Sequence, residues 1–369
     1  MALNTVSSER LSTNVKTSNL GTELKKKVGQ NKNLIINGAM QVAQRGTTST
    51  SSGIHTVDRF NCEFSGTDAS PTQEHETVAA GTEPYTSGFR RSFKVVNGDQ
   101  SGGAGASDFI NIQTKLEAQD IANSGWNYTS SSSYVTLSFW IRSTVAQTFK
   151  GFLRTRDGTE QRYAFDTGSL SANTWTKITK TIPGNSNITI NNDNGEGLQI
   201  NIGAFWGGDF TDSGVTENAW GAYSGSTRMK DNTSTWYTTN LATLQITGVQ
   251  LEVGSVATDF EFRSAEQELQ LCKRYFQAQR PYYNAAQYLI TNEVASNTVF
   301  FNPEMRATPT ATHETLSCRE NSDGFANVSV SSNYLLNSKG INYVVTKSGA
   351  ATSDSFIIFV NNAKYDAEL

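Results

Sequence analysis

At 369 residues, with 36% hydrophobic and 17% charged residues, the chain is long enough for more than one folded unit and is low in charge for a soluble protein. Gly, Ser, Thr and Asn fill the difference, a mixture that suits short strands joined by turns and suits helices poorly. The formal net charge of −4, with basic residues scattered apart from Lys25-Lys26-Lys27, provides no concentrated basic face and argues against nucleic acid as a partner.

Residues 1–32 come first and differ from the rest. Leu11 and Val15, then Leu20, Leu24 and Val28, form a sparse amphipathic stripe, too thin for a core of its own. Either a frayed terminus or a tether that orders against a partner fits that pattern. The segment lacks the apolar region of a secretion signal, and no apolar run in the chain approaches bilayer length, so membrane insertion is not expected.

From Asn33 the period changes to two, and residues 33–263 read as one antiparallel jelly-roll β-sandwich. The segment Lys32–Gly46, KNLIINGAMQVAQRG, combines strand formers with an Asn37-Gly38 turn. In YVTLSFWIRS, Val135, Leu137, Phe139 and Ile141 alternate with Thr136, Ser138 and Trp140, the signature of a half-buried strand. In GLQINIGAFW, Leu198, Ile200 and Ile202 alternate with Gln199 and Asn201. In ATLQITGVQLEV, Leu244 and Ile246 share one parity and Val249, Leu251 and Val253 the other, which predicts a β-bulge at Gly248. Asn97-Gly98, Asp157-Gly158, Asn194-Gly195 and Gly207-Gly208 mark turns.

A linking helix is expected over 264–281, opened by a Ser264/Gln267 capping box and closed by Pro281, with Ala265, Leu269, Cys272 and Phe276 on one face. Residues 282–369 read as a small C-terminal β domain with strongly apolar strands such as Phe356–Val360. So small a unit cannot bury both faces alone, which predicts an oligomer.

Several of these words, in order, resemble the tail-fibre-type virion proteins of bacteriophages, marine ones in particular. They are NLIINGAMQVAQRG, then TVDRF (Thr56–Phe60), LSFWIRS, GVQLEVGSVATDFEFRS running into EQELQLCKRYFQ, and MRATPT from Met305, together covering roughly residues 33–310. The resemblance implies a jelly roll like those of carbohydrate-binding modules and a C-terminal β tip. It also implies a homotrimer assembled in the host cytoplasm into the virion, with attachment to other virion proteins through the N-terminal segment and host surface polysaccharide as the distal partner. The chain departs from long fibres in having neither a heptad shaft nor a repeat-built β-helix, which leaves open a fibre, a fibre tip, or a capsid- or tail-decorating structural protein.

Catalysis is not expected. A glycan depolymerase needs two carboxylates facing across a cleft, and no acidic pair among the 34 acidic residues sits in a recognisable motif. His55, His75 and His313 lie in turn-like contexts without a nucleophile elbow. Cys62, Cys272 and Cys318 are far apart and lack CxxC spacing, so neither a disulfide framework nor a zinc site is expected. No cofactor is expected either; Asn191–Ile200 is rich in oxygen ligands that could hold a structural calcium, but it does not align as an EF-hand loop and reads better as a hairpin turn.

Glycan binding points to aromatics set among amides and hydroxyls, because a sugar stacks its C–H face on a ring while Asn, Asp or Gln take its hydroxyls. The Gly/Ser-rich stretch from Trp206 to Tyr237 provides Trp206, Trp220, Tyr223, Trp236 and Tyr237. The alternative role for these rings is to anchor a long loop on the sandwich. The expected ligand is neutral or weakly acidic, held by stacking and hydrogen bonds.

Overall fold

The computed structural model describes residues 32–279, 282–286, 294–320, 325–327, 329–346 and 356–369. The attachment segment expected over 1–32 lies outside them except for Lys32, as do parts of the expected C-terminal domain. Among the described residues no helix is long and apolar enough to cross a membrane.

Two six-stranded antiparallel sheets face each other as a β-sandwich of jelly-roll type. The first runs in the order β1 (Thr48–Ser49), β3 (Thr72–Thr77), β4 (Arg91–Val96), β12 (Thr243–Val253), β6 (Tyr134–Ser143) and β9 (Thr176–Pro183). The second runs β11 (Trp220–Ala222), β8 (Gln161–Ser169), β7 (Thr148–Thr155), β10 (Glu196–Trp206), β5 (Phe109–Glu117) and β2 (Asn61–Ser65). Two short helices, α1 (Glu83–Thr86) and α2 (Ala118–Ala122), sit in connections. The core between the sheets takes one parity from each strand: Leu137, Phe139 and Ile141 from β6, and Leu198, Ile200 and Ile202 from β10.

The bulge expected at Gly248 is present. Gly248 adopts φ +63°, the register of β12 against β6 slips between Thr247 and Gln250, and Leu244, Ile246, Val249 and Leu251 all reach the same core. Before the bulge β12 pairs with β4; beyond it, residues 33–38 take the vacated edge. Leu34 N donates to Leu251 O at 2.9 Å, Leu251 N to Asn33 Oδ1 at 3.1 Å, and Val249 N to Gly38 O at 2.9 Å. The two most distinctive words of the sequence, around residues 33–46 and 248–264, are therefore structural partners.

Residues 33–45 form turns rather than the strand their composition suggests. Asn37 takes φ +60°, its Nδ2 donates to Val42 O and Asp58 O at 2.9 Å each, and its Oδ1 accepts from Val42 N at 3.0 Å. One amide thus holds three backbone groups that no ladder satisfies. Thr136 and Ser138 are also buried, although the alternation in β6 suggested one wet face: Thr136 Oγ1 donates to Gly254 O at 2.7 Å, and their cross-strand neighbours Glu252 and Gln250 bond to Thr258 and Asp259 of the chain returning after β12.

Helix α3 (Ala265–Lys273) begins with the expected capping box but ends well before Pro281. Tyr275 and Phe276, expected to continue the helix, lie instead under Arg59 and Arg45, whose guanidinium carbons stand 3.5 and 3.7 Å from the ring centroids, and β13 (Phe276–Gln279) follows. The buried helical positions are Glu268 and Cys272; Ala265 is exposed.

Among the described C-terminal residues, β13 pairs with β22 (Ala363–Asp366), which also pairs with β16 (Thr310–Thr312). A second sheet orders β14 (Tyr282–Ala286), β21 (Phe356–Asn361), β17 (Thr315–Glu320) and β18 (Phe325–Asn327), and a third β15 (Val294–Phe300), β20 (Gly340–Thr346) and β19 (Ser329–Asn337). The end of the chain is riveted to the sandwich. Arg45 reaches Asp366 at 3.1 Å and Glu368 at 3.2 Å, Arg59 binds Glu368, and Arg274 grips Glu117 with two bonds of 2.7 and 2.8 Å.

Candidate functional site

The register of the second sheet sets which side chains share its outer face. Asn201 of β10 stands opposite Phe152 of β7 and Gln113 of β5, Phe152 opposite Ala164 of β8, and Gln113 opposite Asn61 of β2. The next row is Arg162, Arg154, Gln199 and Lys115; the row on the other side is Asp166, Lys150, Gly203, Asn111 and Glu63. Polar side chains are ordinary on the outer face of an antiparallel sheet, but here Asn111, Asn201, Gln113 and Gln199 are buried.

The amides are only partly satisfied. Asn201 Oδ1 accepts from Asn111 Nδ2 and from Gln113 Nε2, both at 2.9 Å. Among the described residues, Asn111 Oδ1, Gln113 Oε1, Asn61 Oδ1 and Trp206 Nε1 have no partner. Leaving such groups unpaired costs stability at each position, and their concentration on one face marks it as more than packing.

An aromatic ledge rises at one side of this face. Phe152, Trp206 and Met229 are buried in it, with half-buried Phe109, Phe210 and Tyr223 packed against them. Trp206 stacks on Phe109, centroids 4.5 Å apart and planes 8° apart, and meets Phe210 edge-on at 5.3 Å. Its indole lies over Gly203, where a Cβ would stand 2.5 Å from Cδ1, so glycine is what lets the ring lie down on the sheet. Arginines form the upper layer: Arg154 lies 3.7 Å above the Tyr223 ring, and Arg228 lies 4.5 and 4.6 Å above Trp206 and Phe210.

Of the five aromatics singled out in the sequence, Trp206 and Tyr223 meet in this ledge. Tyr223 is a half-buried member of its surface, and Trp206, 2% exposed, is its foundation. The other three stand elsewhere. Trp236 and Tyr237, at 0% and 1% exposure, belong to the main core, where Tyr237 stacks on Phe205 at 4.4 Å and donates to Asp108 at 3.0 Å. Burial and that bond to Asp108 push the Tyr237 phenol well up. Both rings are packed inside the core rather than on its surface. Trp220 closes the open edge of the sandwich instead: it packs at 5.4 Å from Tyr163, and its Nε1 donates to Pro183 O of the opposite sheet at 2.6 Å.

The residues that composition did not single out are Phe109, Phe152, Phe210, Arg154, Arg162, Arg228 and the amide group. Their strands showed the polar alternation, as in Gln199 and Asn201, but only cross-strand register brings them together.

Three of the carboxylates on and around this face are held by cations. Glu160 pairs with Arg154 at 2.6 Å, and Lys150 reaches Glu217 at 2.7 Å and Asp166 at 3.6 Å. Burial works against charge on Asp166, but the Gly168 amide, Lys150 and Lys180 outweigh it and hold the carboxyl below the usual range, the opposite of what a general acid requires. In the oxygen-rich segment 191–200, Asp157 accepts from Asn191 N and Nδ2 at 2.8 Å each and Asp193 from Gly195 N at 2.9 Å, so these groups build the turn into β10.

No family model matches the chain, and no curated protein matches it in sequence. Among solved structures, it is similar to the enzymatically active domain of bacteriophage CBA120 tailspike protein 4, at 12% identity and TM-score 0.31, over 60% of this chain and 21% of the tailspike. It is also similar to the N-terminal cellulose-binding domain of Cellulomonas fimi β-1,4-glucanase C, at 10% identity and TM-score 0.28, over 59% of this chain and 99% of that domain. A third is the family 11 carbohydrate-binding module of Clostridium thermocellum in complex with a β-1,3-1,4-mixed-linked tetrasaccharide, at 11% identity and TM-score 0.26, over 57% and 98%. The chain thus spans about a fifth of the tailspike's length.

Proposed function

We propose that this protein is an adhesive, non-catalytic component of a phage particle, of the tail-fibre type, that binds host surface polysaccharide through the outer face of its second sheet. The observation that carries the reading is the coexistence there of an aromatic ledge and unpaired amide oxygens. A pyranose needs an apolar platform for its C–H face and fixed acceptors and donors for its hydroxyls. The half-buried rings of Tyr223 and Phe210, capped by Arg154 and Arg228, offer the first along the surface they leave open; half-buried Asn61, backed by the buried amides of Gln113 and Asn111, offers the second. Trp206 holds the ledge rigid from below. Membership of the virion rests on the ordered sequence words, as do the trimeric state and attachment through residues 1–32.

Two measurements test this. Purified protein is incubated with host surface polysaccharide, and both retention and chain length are read. Retention with unchanged length supports an adhesin; shortened chains would make it an enzyme, and absence of retention would leave an assembly role. Antibody labelling of intact particles then tests for the chain in the virion, and sedimentation of the full-length chain should return three times the monomer mass.

A further inference from the structure

We propose that the polysaccharide bound at this face is anionic, and that Arg162 and Arg228 receive its carboxylate or sulfate groups. This rests on the glycan reading above and names the substrate class. It departs from the neutral or weakly acidic ligand that composition alone suggested.

The other cations of the face have internal partners. Arg154 and Arg156 pair with Glu160, Arg156 also with Glu196, and Lys150 with Glu217 and Asp166. Arg162 and Arg228 differ. Arg162, on β8 in the row of Arg154 and Gln199, has its Nε and Nη1 buried without any hydrogen-bond partner among the described residues. No carboxylate among them comes within ion-pair distance, and Asp212 acts on it only at longer range. Its third nitrogen, Nη2, lies beside Gly221, 3.3 Å from where a Cβ would stand. Arg228 donates Nε to the Gly225 carbonyl at 3.0 Å and lies over Trp206 and Phe210, again with no carboxylate partner among the described residues.

Both guanidinium groups are half-buried, and burial lowers the proton affinity of each; at Arg228 Tyr223 and, at longer range, Glu63 act against this while the charge of Arg154 adds to it. Removing a cation from water without a counter-ion is costly, and a neutral sugar relieves little of that cost. A carboxylate or sulfate relieves it by accepting two parallel N–H bonds from the guanidinium fork. Stacking on Trp206 and Phe210 fixes the plane of Arg228 in advance, so less conformational freedom is lost when the anion arrives. The arrangement suits repeated acidic sugars along the ledge beside Tyr223 and Phe210, whose rings Arg154 and Arg228 already cap, with acidic groups at Arg162 and Arg228. A net charge of −4 over the whole chain gives no general attraction to polyanions, so recognition depends on these positions.

The test uses the full chain and four probes: polygalacturonate for carboxylate, dextran sulfate for sulfate, dextran as the neutral counterpart, and single-stranded DNA as a phosphate polyanion. Kd is measured at about 50 and about 300 mM salt. At least one acidic polysaccharide should bind roughly tenfold or more tighter than dextran and weaken with salt, the preferred probe telling carboxylate from sulfate. Arg162→Gln and Arg228→Gln should each remove about tenfold of that affinity and flatten its dependence on salt. Arg162→Lys, which keeps the charge but loses the fork, should recover only part, and Arg91→Gln on the first sheet should change nothing. Dextran bound as tightly as the acidic polymers, or acidic binding indifferent to both arginines in folded variants, overturns this proposal while leaving glycan binding intact. Single-stranded DNA bound as tightly with the same arginine dependence overturns it in favour of a phosphate ligand. No binding to any polysaccharide overturns the glycan reading and this proposal with it. Should either Gln variant fail to fold, protection of Arg162 and Arg228 from phenylglyoxal by the acidic polymer, mapped by mass spectrometry on the unaltered chain, is the deciding readout, and absence of protection overturns the proposal.

Discussion

Truncating an aromatic side chain costs stability according to the surface it hides, and the rings between residues 206 and 237 hide very different amounts. Trp236 is fully buried, so Trp236→Ala should lower unfolding free energy by about 3 kcal/mol or more, read as a lower denaturation midpoint. Tyr223 is half-buried under Arg154, and Tyr223→Ala should cost about 1 kcal/mol while weakening retention on the host polysaccharide. If Tyr223→Ala retains full binding, the ledge is not the platform. The thiols give an independent check on burial. Cys62 has its pKa pushed up to about 12 by burial and by nearby Glu63, and Cys272 is raised by burial and by nearby carboxylates. Neither should be alkylated by iodoacetamide in the native protein at pH 8, and both should be after denaturation, as mass mapping would show. The contrast between Trp236 and Tyr223 was hidden in the sequence for a physical reason. Both sit in polar, Gly/Ser-rich context, but Trp236 enters the core where its backbone N donates to Gln147 Oε1 at 2.9 Å, whereas Tyr223 meets Phe152 on the outer face, and both partners are far off along the chain.

Strand by strand, alternation in the sequence was a good guide because one parity must face the core. The bulge in β12 was legible for the same reason: apolar parity switches across Gly248, and a glycine at φ +63° is a cheap way to absorb the extra residue. Gly248→Ala should therefore destabilise by about 1–3 kcal/mol, since it strains φ and places a methyl 2.6 Å from the Phe89 ring. An unchanged melting temperature would show that the bulge tolerates a side chain. Two features escaped the alternation. Residues 33–45 have strand composition, yet Asn37 closes them into a turn by hydrogen bonds to Val42 and Asp58, a long-range effect that no local propensity contains. The helix after Ser264 had correct start chemistry, but its end is set by Arg45 and Arg59 drawing Phe276 and Tyr275 into stacks, which outweighs a helical continuation to Pro281. The outer face of the second sheet was legible only as separate polar positions; the register among β2, β5, β10, β7 and β8 makes them a site.

At the scale of the whole molecule, ion pairs fasten the end of the chain to the sandwich, and that fastening should make stability depend on pH. Burial works against the charge of Glu117, but the bidentate bonds from Arg274 and a bond from Tyr275 outweigh it and hold the carboxyl below its ordinary value of 4.5. A carboxyl whose pKa is lower folded than unfolded adds stability above the unfolded value and loses that contribution as pH falls through the folded one. Asp58 acts in the opposite sense: burial raises its pKa against the pull of Arg45, so its charged form is a liability that acid relieves. The Glu117 contribution can be isolated by comparing the parent with Glu117→Gln. At neutral pH the variant should be less stable by about 1–3 kcal/mol, because the buried position 117 loses its charge-assisted bonds while half-exposed Arg274 regains some water. Below pH 4.5 the gap should narrow, since the parent then protonates Glu117 and loses the same pair. Melting temperature against pH for the two proteins reads this directly: converging curves in acid support the coupling between α3 and the second sheet, and parallel curves down to the acid limit would mean that the Arg274–Glu117 pair does not hold the junction.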